Sequence, residues 1–218
     1  MSTDRQEPRS LKPMLLGESV LFFGIPAVIT IFCVFRLFPY LVDQGFSTFI
    51  SYNIALDIPL AIMLIMSLVA YRREGNPISW PALRDRFRLN RMERKGWLWT
   101  IGLFLFMLIT AGALSALILS ITPGLIDKGV LIIPESTPSF IDPRIPQGLE
   151  SMKNQMGAQS VGNWSLLGLT FFSLLLNILG EELLWRGYVL PRQELTYGKR
   201  TWMVHGVFWT LLHAFKWW

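Results

Sequence analysis

The stretch GEELLWRGYVL, residues 180–190, places two glutamates and an arginine directly after a long uncharged run. On a helix, residues four apart share a face, whereas adjacent residues point about 100° apart. Glu182 and Arg186 are therefore expected to pair along the helix, while Glu181 points elsewhere. An unpaired carboxylate at the edge of low-dielectric surroundings suits a general base that takes up and passes on a proton near neutral pH. The spacing alone fits equally well a charged helix end in the headgroup region, so the motif needs a partner.

The stretch HGVFWTLLH, residues 205–213, contains the other cluster of side chains that could take part in catalysis. His205, Trp209 and His213 follow one another at intervals of four, which places two imidazoles and an indole along one drifting stripe of a helix. Imidazole titrates near physiological pH and can hold a water, carry its proton or bind a metal. His213 lies deep in an apolar run and is the expected partner of Glu181. For His205, five residues after Arg200, an interfacial or packing role is favoured.

A further charge, Asp57, also lies inside an apolar run. It could face a polar cavity. With Pro59 two residues later, the favoured interpretation is that Asp57 caps or satisfies a helix broken by that proline.

The elements that must position these residues are predicted to be membrane-spanning helices. Of the 218 residues, 52% are hydrophobic and only 16% are charged, which indicates a membrane protein. A span needs about 20 apolar residues, and about five runs qualify. The predicted fold is therefore all-α, a polytopic transmembrane helix bundle. It forms a single membrane-embedded domain, 1–218, which includes an N-terminal tail, 1–14. The only cysteine, Cys33, lies in the first span, which excludes a disulfide framework. The predicted spans are Leu15 to Phe35 (closed by Arg36), Phe46 to Tyr71, Trp97 to Ile121, Trp164 to Gly180, and a last one from about Thr201.

Basic residues predict how the chain is oriented, because Lys and Arg resist translocation. The tail, the segment 72–96 and the segment 181–200 are basic, and segment 72–96 alone carries eight basic residues against three acidic ones. The connection 40–48 has no Lys or Arg, and the proline-rich connection 122–163, a predicted lid or mobile excursion, has a slight acidic excess. All three basic segments fall on one side if five spans are real, which predicts a cytoplasmic N-terminus. A basic loop facing anionic lipid accounts for the net charge of +5 without nucleic acid.

The two clusters together resemble the motifs of a known family. The stretch EELLWR, residues 181–186, fits the pattern EExxxR, and WTLLH, residues 209–213, fits the aromatic-xxx-His pattern that follows it. In this order, after several spans, they resemble the CPBP family of intramembrane proteases. That family, also called the ABI family, contains the type II CAAX prenyl endopeptidases and bacteriocin self-immunity proteins. The resemblance covers about residues 160–218, and the N-terminal half resembles the family only in hydropathy.

The resemblance implies a role for each motif residue. Glu181 would activate a water with help from His213, and Glu182 would pair with Arg186 to hold the helix in place, with Trp209 as a supporting residue. The water would attack a scissile carbonyl in a cavity open to the cytoplasmic side. Members of the family are described both with and without a bound metal. One Glu and one His are too few ligands for a closed zinc site, so the metal-free version is favoured and a divalent metal such as zinc is the alternative.

One departure from the family pattern bears on activity. The family carries a third motif, a His followed four residues later by Asn or Asp, which is thought to stabilise the oxyanion. No stretch of this sequence matches it, and His205 followed by Trp209 is no substitute. Losing such donors costs on the order of 100 to 1,000-fold in rate. We therefore expect the chain to be a fragment of a longer protein, the alternative being that it is inactive as it stands.

Three functions are consistent with the sequence. The first is an intramembrane endopeptidase acting on a peptide or a prenylated protein, embedded in the plasma membrane of a prokaryote. The second is a non-catalytic protein of the same fold, acting in bacteriocin immunity or partner binding. The third is a proton-coupled transporter subunit in which Glu181 and His213 relay protons. The motif pair favours the first two.

Overall fold

The computed structural model describes residues 11–89, 91–139, 141–145 and 162–216, and the regular structure within them is entirely helical. This confirms the predicted all-α bundle. Two π-helical segments, Cys33–Leu37 and Glu182–Val189, join consecutive α-helices. The α-helices are α1 (Leu16–Phe32), α2 (Phe38–Asp43), α3 (Thr48–Arg73), α4 (Trp80–Arg86), α5 (Arg94–Asp127), α6 (Trp164–Glu181), α7 (Leu190–Tyr197) and α8 (Thr201–Leu212).

Helical stretches long and apolar enough to cross a membrane number four among the described residues, not the predicted five. The last stretch, Trp164–Lys216, contains both the fourth and the fifth predicted spans. This stretch of 53 residues is counted once because its helical segments follow one another directly, without a residue between them. The remaining stretches are Leu16–Asp43, Thr48–Arg73 and Arg94–Asp127.

Two predicted span boundaries were too early. Arg36 does not close the first span, because the helix continues through the π-helical segment to Asp43. A single exposed arginine can extend its long side chain toward the interface without ending a helix. The third span likewise continues to Asp127 and includes Pro123, which the sequence had assigned to the connection. A mid-helix proline removes one backbone hydrogen bond, and a membrane helix tolerates this locally.

The core of the bundle lies where α1 and α3 meet the second π-helical segment. Trp185 is 1% exposed and stacks on Phe23 of α1, with ring centroids 5.2 Å apart. The longest apolar helix, α5, contributes nothing to this core, since none of its most apolar window is buried against the described residues. In lipid an apolar helix need not bury its surface against protein. The site therefore depends on α1, α3, α6, α7 and α8.

The three basic segments meet at one end of the helices. The Arg192 Nε donates to the Lys12 carbonyl at 3.0 Å, and the Arg86 Nη1 donates to the Gly187 carbonyl at 2.8 Å. These bonds join the tail, the segment 72–96 and the segment 181–200. Residues 1–10 of the predicted tail and residues 146–161 of the predicted lid lie outside the described residues.

Candidate functional site

A π-helical segment carries the Glu182 and Arg186 side chains of the EExxxR motif. Glu182–Val189 is wound more widely than an α-helix, and π-helical turns occur frequently at functional sites. Glu182 and Arg186 form the expected ion pair within it. Their side chains are 43% and 66% exposed, and a pair this exposed contributes at most about 1 kcal/mol to stability.

Glu181, the last residue of α6, has different surroundings. The Asn177 Nδ2, one turn earlier, donates to its Oε1 at 3.1 Å. Trp209 lines the same cavity as this carboxylate, and His213 is near enough to affect the electrostatic potential at it. Glu181 forms no ion pair with any of the described residues. Its charge is thus solvated by polar neighbours and stays available to a bound molecule.

A cavity of about 280 Å³ separates the π-helical segment from α8. Carboxylates line one side of it, and an imidazole and two indoles line the other. A space of this size holds several waters or a short peptide segment. The lining residues are Glu181, Glu182, Trp185, Arg186, Leu190, Trp202, His205, Gly206 and Trp209.

His213 lies at the C-terminal end of α8 and is not among the residues that line this cavity. Its Nδ1 is 2.9 Å from the Trp209 carbonyl oxygen, and the two rings stand edge to face, 5.1 Å apart. Because a carbonyl only accepts, Nδ1 carries the proton. Nε2 of the neutral ring then has a free lone pair for a water or a proton.

His205, in contrast, lines the cavity but is also part of a buried network. Its Nδ1 lies 2.7 Å from the Gln193 Oε1, and the Gln193 Nε2 donates to the Ser19 Oγ at 3.0 Å. Gln193 and Ser19 are fully buried. His205 therefore ties α8 to α7 and, through Gln193, to α1. This geometry fits the packing role favoured for it.

Replacing His205 by alanine is expected to destabilise the protein by about 1–3 kcal/mol, because it leaves the buried Gln193 oxygen unpaired. The midpoint of unfolding in detergent measures this. Any activity of the site, expressed per folded molecule, should change less than tenfold. A loss of activity as large as that of a His213 variant would contradict the packing role and would indicate that His205 takes part in the reaction.

Asp57 connects two helices rather than repairing one. Helix α3 runs unbroken past Pro59, so the interpretation that Asp57 satisfies a broken helix is wrong. Instead, the Ser173 Oγ on α6 donates to the Asp57 Oδ2 at 2.8 Å. The interpretation was wrong because a proline such as Pro59 need not interrupt a long membrane helix.

A polar row on α6 was missed by the sequence reasoning. Ser173, Asn177 and Glu181 are spaced by four and so share one helix face, with Asp57 opposite the first of them. The interval of four residues is present in the sequence before Gly180, but Ser173 and Asn177 are uncharged and lie among leucines, so they were not recognised as a polar row. Asn177 in particular acts directly on the Glu181 carboxylate.

The described residues do not supply a metal site. No three His, Cys, Asp or Glu side chains come together in residues 11–89, 91–139, 141–145 and 162–216. A protein-held zinc ion needs at least three such ligands, so these residues do not fit one.

Comparison with known proteins finds one similarity, and it covers the segment that carries the site. Residues 163–218, which contain the π-helical segment, the cavity and both histidines, match the family model described as "Type II CAAX prenyl endopeptidase Rce1-like". The C-terminal segment is similar to the type II CAAX prenyl endopeptidases. This confirms the resemblance stated from the two motifs, over nearly the residues expected. No curated protein and no solved structure matches the chain. The CAAX-endopeptidase-like segment thus belongs to a helical chain with several apolar candidate membrane spans.

Proposed function

We propose that this protein is an intramembrane endopeptidase in which Glu181 activates the attacking water. The observation that supports this proposal most strongly is that the two adjacent glutamates have different partners. Glu182 is neutralised by Arg186, whereas Glu181 faces a cavity with only neutral hydrogen-bond partners around its carboxylate. A carboxylate so placed can accept a proton from a bound water without first breaking an ion pair.

The chemistry follows from the atoms present. Glu181 takes a proton from the water as the water oxygen bonds to the scissile carbonyl carbon. The carbon–nitrogen bond of the tetrahedral intermediate then breaks, and Glu181 passes its proton to the departing amine nitrogen. His213, with Nδ1–H held by the Trp209 carbonyl, offers Nε2 to orient the water. No metal is required for these steps.

The substrate is proposed to be a peptide or a prenylated protein at the cytoplasmic face. The basic end of the helices, where Arg86 meets the π-helical segment, is proposed to be cytoplasmic because basic connections resist translocation. The cavity is close to this end, and its indole walls suit an apolar side chain or lipid group. The membrane is proposed to be the plasma membrane of a prokaryote.

The test is cleavage of a membrane-anchored reporter peptide by the full-length gene product, with products identified by mass spectrometry. His213→Ala is expected to lower the rate by about 100-fold, as for misplacement of a reacting group, because the attacking water would lose the Nε2 atom that orients it. Val207→Ala, an exposed position on the same helix, is the matched control and should leave the rate unchanged.

Unchanged cleavage in His213→Ala would contradict the proposed mechanism. A biological effect that persists without any cleavage would instead support the partner-binding or immunity role. Loss of pH-dependent uptake in the same variant would support the transporter role.

A further inference from the structure

A second pocket lies at the basic end of the helices, away from Glu181. It has a volume of about 230 Å³ and is lined by four cationic side chains, Lys12, Arg73, Arg86 and Arg192, together with Glu74 and Tyr188. Pockets for drug-sized ligands are larger, about 300–1,000 Å³. The volume therefore suits a small group rather than a whole ligand.

Two of the four cations are fixed in place. The Arg86 guanidinium makes two bonds to the Glu74 carboxylate, at 2.6 and 2.8 Å, and its side chain is 8% exposed. The Arg192 Nη1 donates to the Tyr188 hydroxyl at 2.5 Å. Both guanidinium groups also stack on the Tyr188 ring, 5.0 and 5.1 Å from its centroid. A guanidinium has five N–H donors, so each retains some for a ligand.

The other two cations are not neutralised. Lys12 and Arg73 are exposed, and neither side chain has an ion-pair or hydrogen-bond partner among the described residues. The carboxylate in the pocket, that of Glu74, is engaged by Arg86. Glu18 approaches Arg192 from α1, at 3.7 Å, without lining the pocket. Among the residues that the structure describes, the lining thus carries four positive charges against one negative charge.

We propose that this pocket binds a phosphate group. Arginine pairs with phosphate oxygens through parallel N–H bonds, and lysine adds a point charge. The pocket opens where α3 ends at Arg73 and just before α1 begins, which is at the ends of two candidate membrane spans. Lipid headgroups would lie at this level if both helices cross a membrane. Basic pockets between helices at a membrane surface bind anionic headgroups. The phosphate can belong to a lipid or be free in solution, and the chemistry of recognition is the same.

The bound group would have a structural consequence. The pocket is made by residues from the tail, α3, α4, the π-helical segment and α7. A phosphate in it would cross-link these segments and fix the segment that follows Glu181. This proposal does not depend on the proposed function, since binding is measured without cleavage.

The experiment is calorimetric titration of the purified full-length protein in a neutral, phosphate-free detergent solution. The probes are dioctanoylphosphatidylglycerol, dioctanoylglycerol, which lacks the phosphate, and inorganic phosphate. The double variant Lys12→Gln/Arg73→Gln is expected to weaken phosphatidylglycerol binding by about tenfold or more, because two charge-assisted contacts are lost. Dioctanoylglycerol is expected not to bind.

The matched control is Arg72→Gln/Arg84→Gln, which removes two charges from the same basic segment. Arg72 donates to the Asn76 carbonyl and Arg84 lies 3.9 Å from Asp85, both exposed and outside the pocket. The control should bind within about twofold of the wild type, because only long-range screened charge is lost. Thermal unfolding verifies that both double variants fold.

Inorganic phosphate that competes with phosphatidylglycerol for the wild type, but not for Lys12→Gln/Arg73→Gln, would support the same site with free phosphate as its ligand. Absence of binding by both phosphate probes would overturn the proposal. Equal weakening in the two double variants, or equal binding of dioctanoylglycerol, would overturn it as well.

Discussion

Replacing Glu181 by glutamine is expected to lower peptide cleavage by about 100 to 10,000-fold, the range for loss of a positioned general base. Glutamine keeps the size of the side chain, and its carbonyl can still accept the Asn177 bond that Oε1 accepts now. What it cannot do is take up a proton. The fold should therefore be kept while the chemical step is lost. The measurement is the single-turnover rate of reporter cleavage, alongside the unfolding midpoint in detergent.

The adjacent glutamate provides the control for this result. Glu182→Gln removes one partner of the exposed pair with Arg186, for which we expect at most about 1 kcal/mol of destabilisation and a less than tenfold change in cleavage. Equal losses in the two variants would contradict the division of labour between them. An active Glu181→Gln protein would remove the general base from the mechanism altogether.

Replacing Gly180 by alanine is expected to destabilise the bundle by about 1–3 kcal/mol or more, as for overpacking of a tight interior. A Cβ at this position would lie 2.6 Å from the Leu60 carbonyl oxygen and 3.3 Å from its carbon. These are backbone atoms of α3, so they cannot turn aside as a side chain would. Helices α3 and α6 would have to move apart at the residue just before Glu181.

Cleavage should fall together with stability in this variant, because a displacement of about 1 Å at a catalytic group can cost on the order of 100-fold in rate. The matched control is Gly168→Ala on the same helix, where an added Cβ meets nothing within 4 Å. Alanine is the better helix former by about 0.5–1 kcal/mol, so Gly168→Ala should be neutral or stabilising. The measurement is the unfolding midpoint of each variant, which is expected to be lower for Gly180→Ala than for Gly168→Ala. Similar midpoints would show that close packing at Gly180 is unimportant.

Much of the candidate site could be predicted from the sequence, because the pairing of its side chains within one helix depends on intervals of four residues. An interval of four residues places Glu182 beside Arg186 whether the helix is tight or slightly wide, and the pair is present. The same rule applied to Ser173, Asn177 and Glu181 would have found the polar row. Hydropathy determined the all-helical membrane fold, since lipid leaves the backbone few alternatives to the helix.

Other features required contacts between residues distant in the chain. The assignment of His205 depends on Gln193 and Ser19, which lie on other helices, and no spacing rule connects them. The role of Asp57 was misjudged for the same reason, since its partner Ser173 is far along the chain. The need for glycine at position 180 is invisible without the Leu60 carbonyl that faces it.

The sequence by itself determined the membrane environment, the helical class and the two motifs that carry the proposed chemistry, because these depend on composition and on intervals within one helix. Only the tertiary structure decided that Glu181 faces a cavity without forming an ion pair to any described residue, and that Lys12, Arg73, Arg86 and Arg192 share a second pocket. The physical reason is that the charge state and the solvation of a side chain depend on every group within a few ångströms, and most of those groups are supplied by other helices.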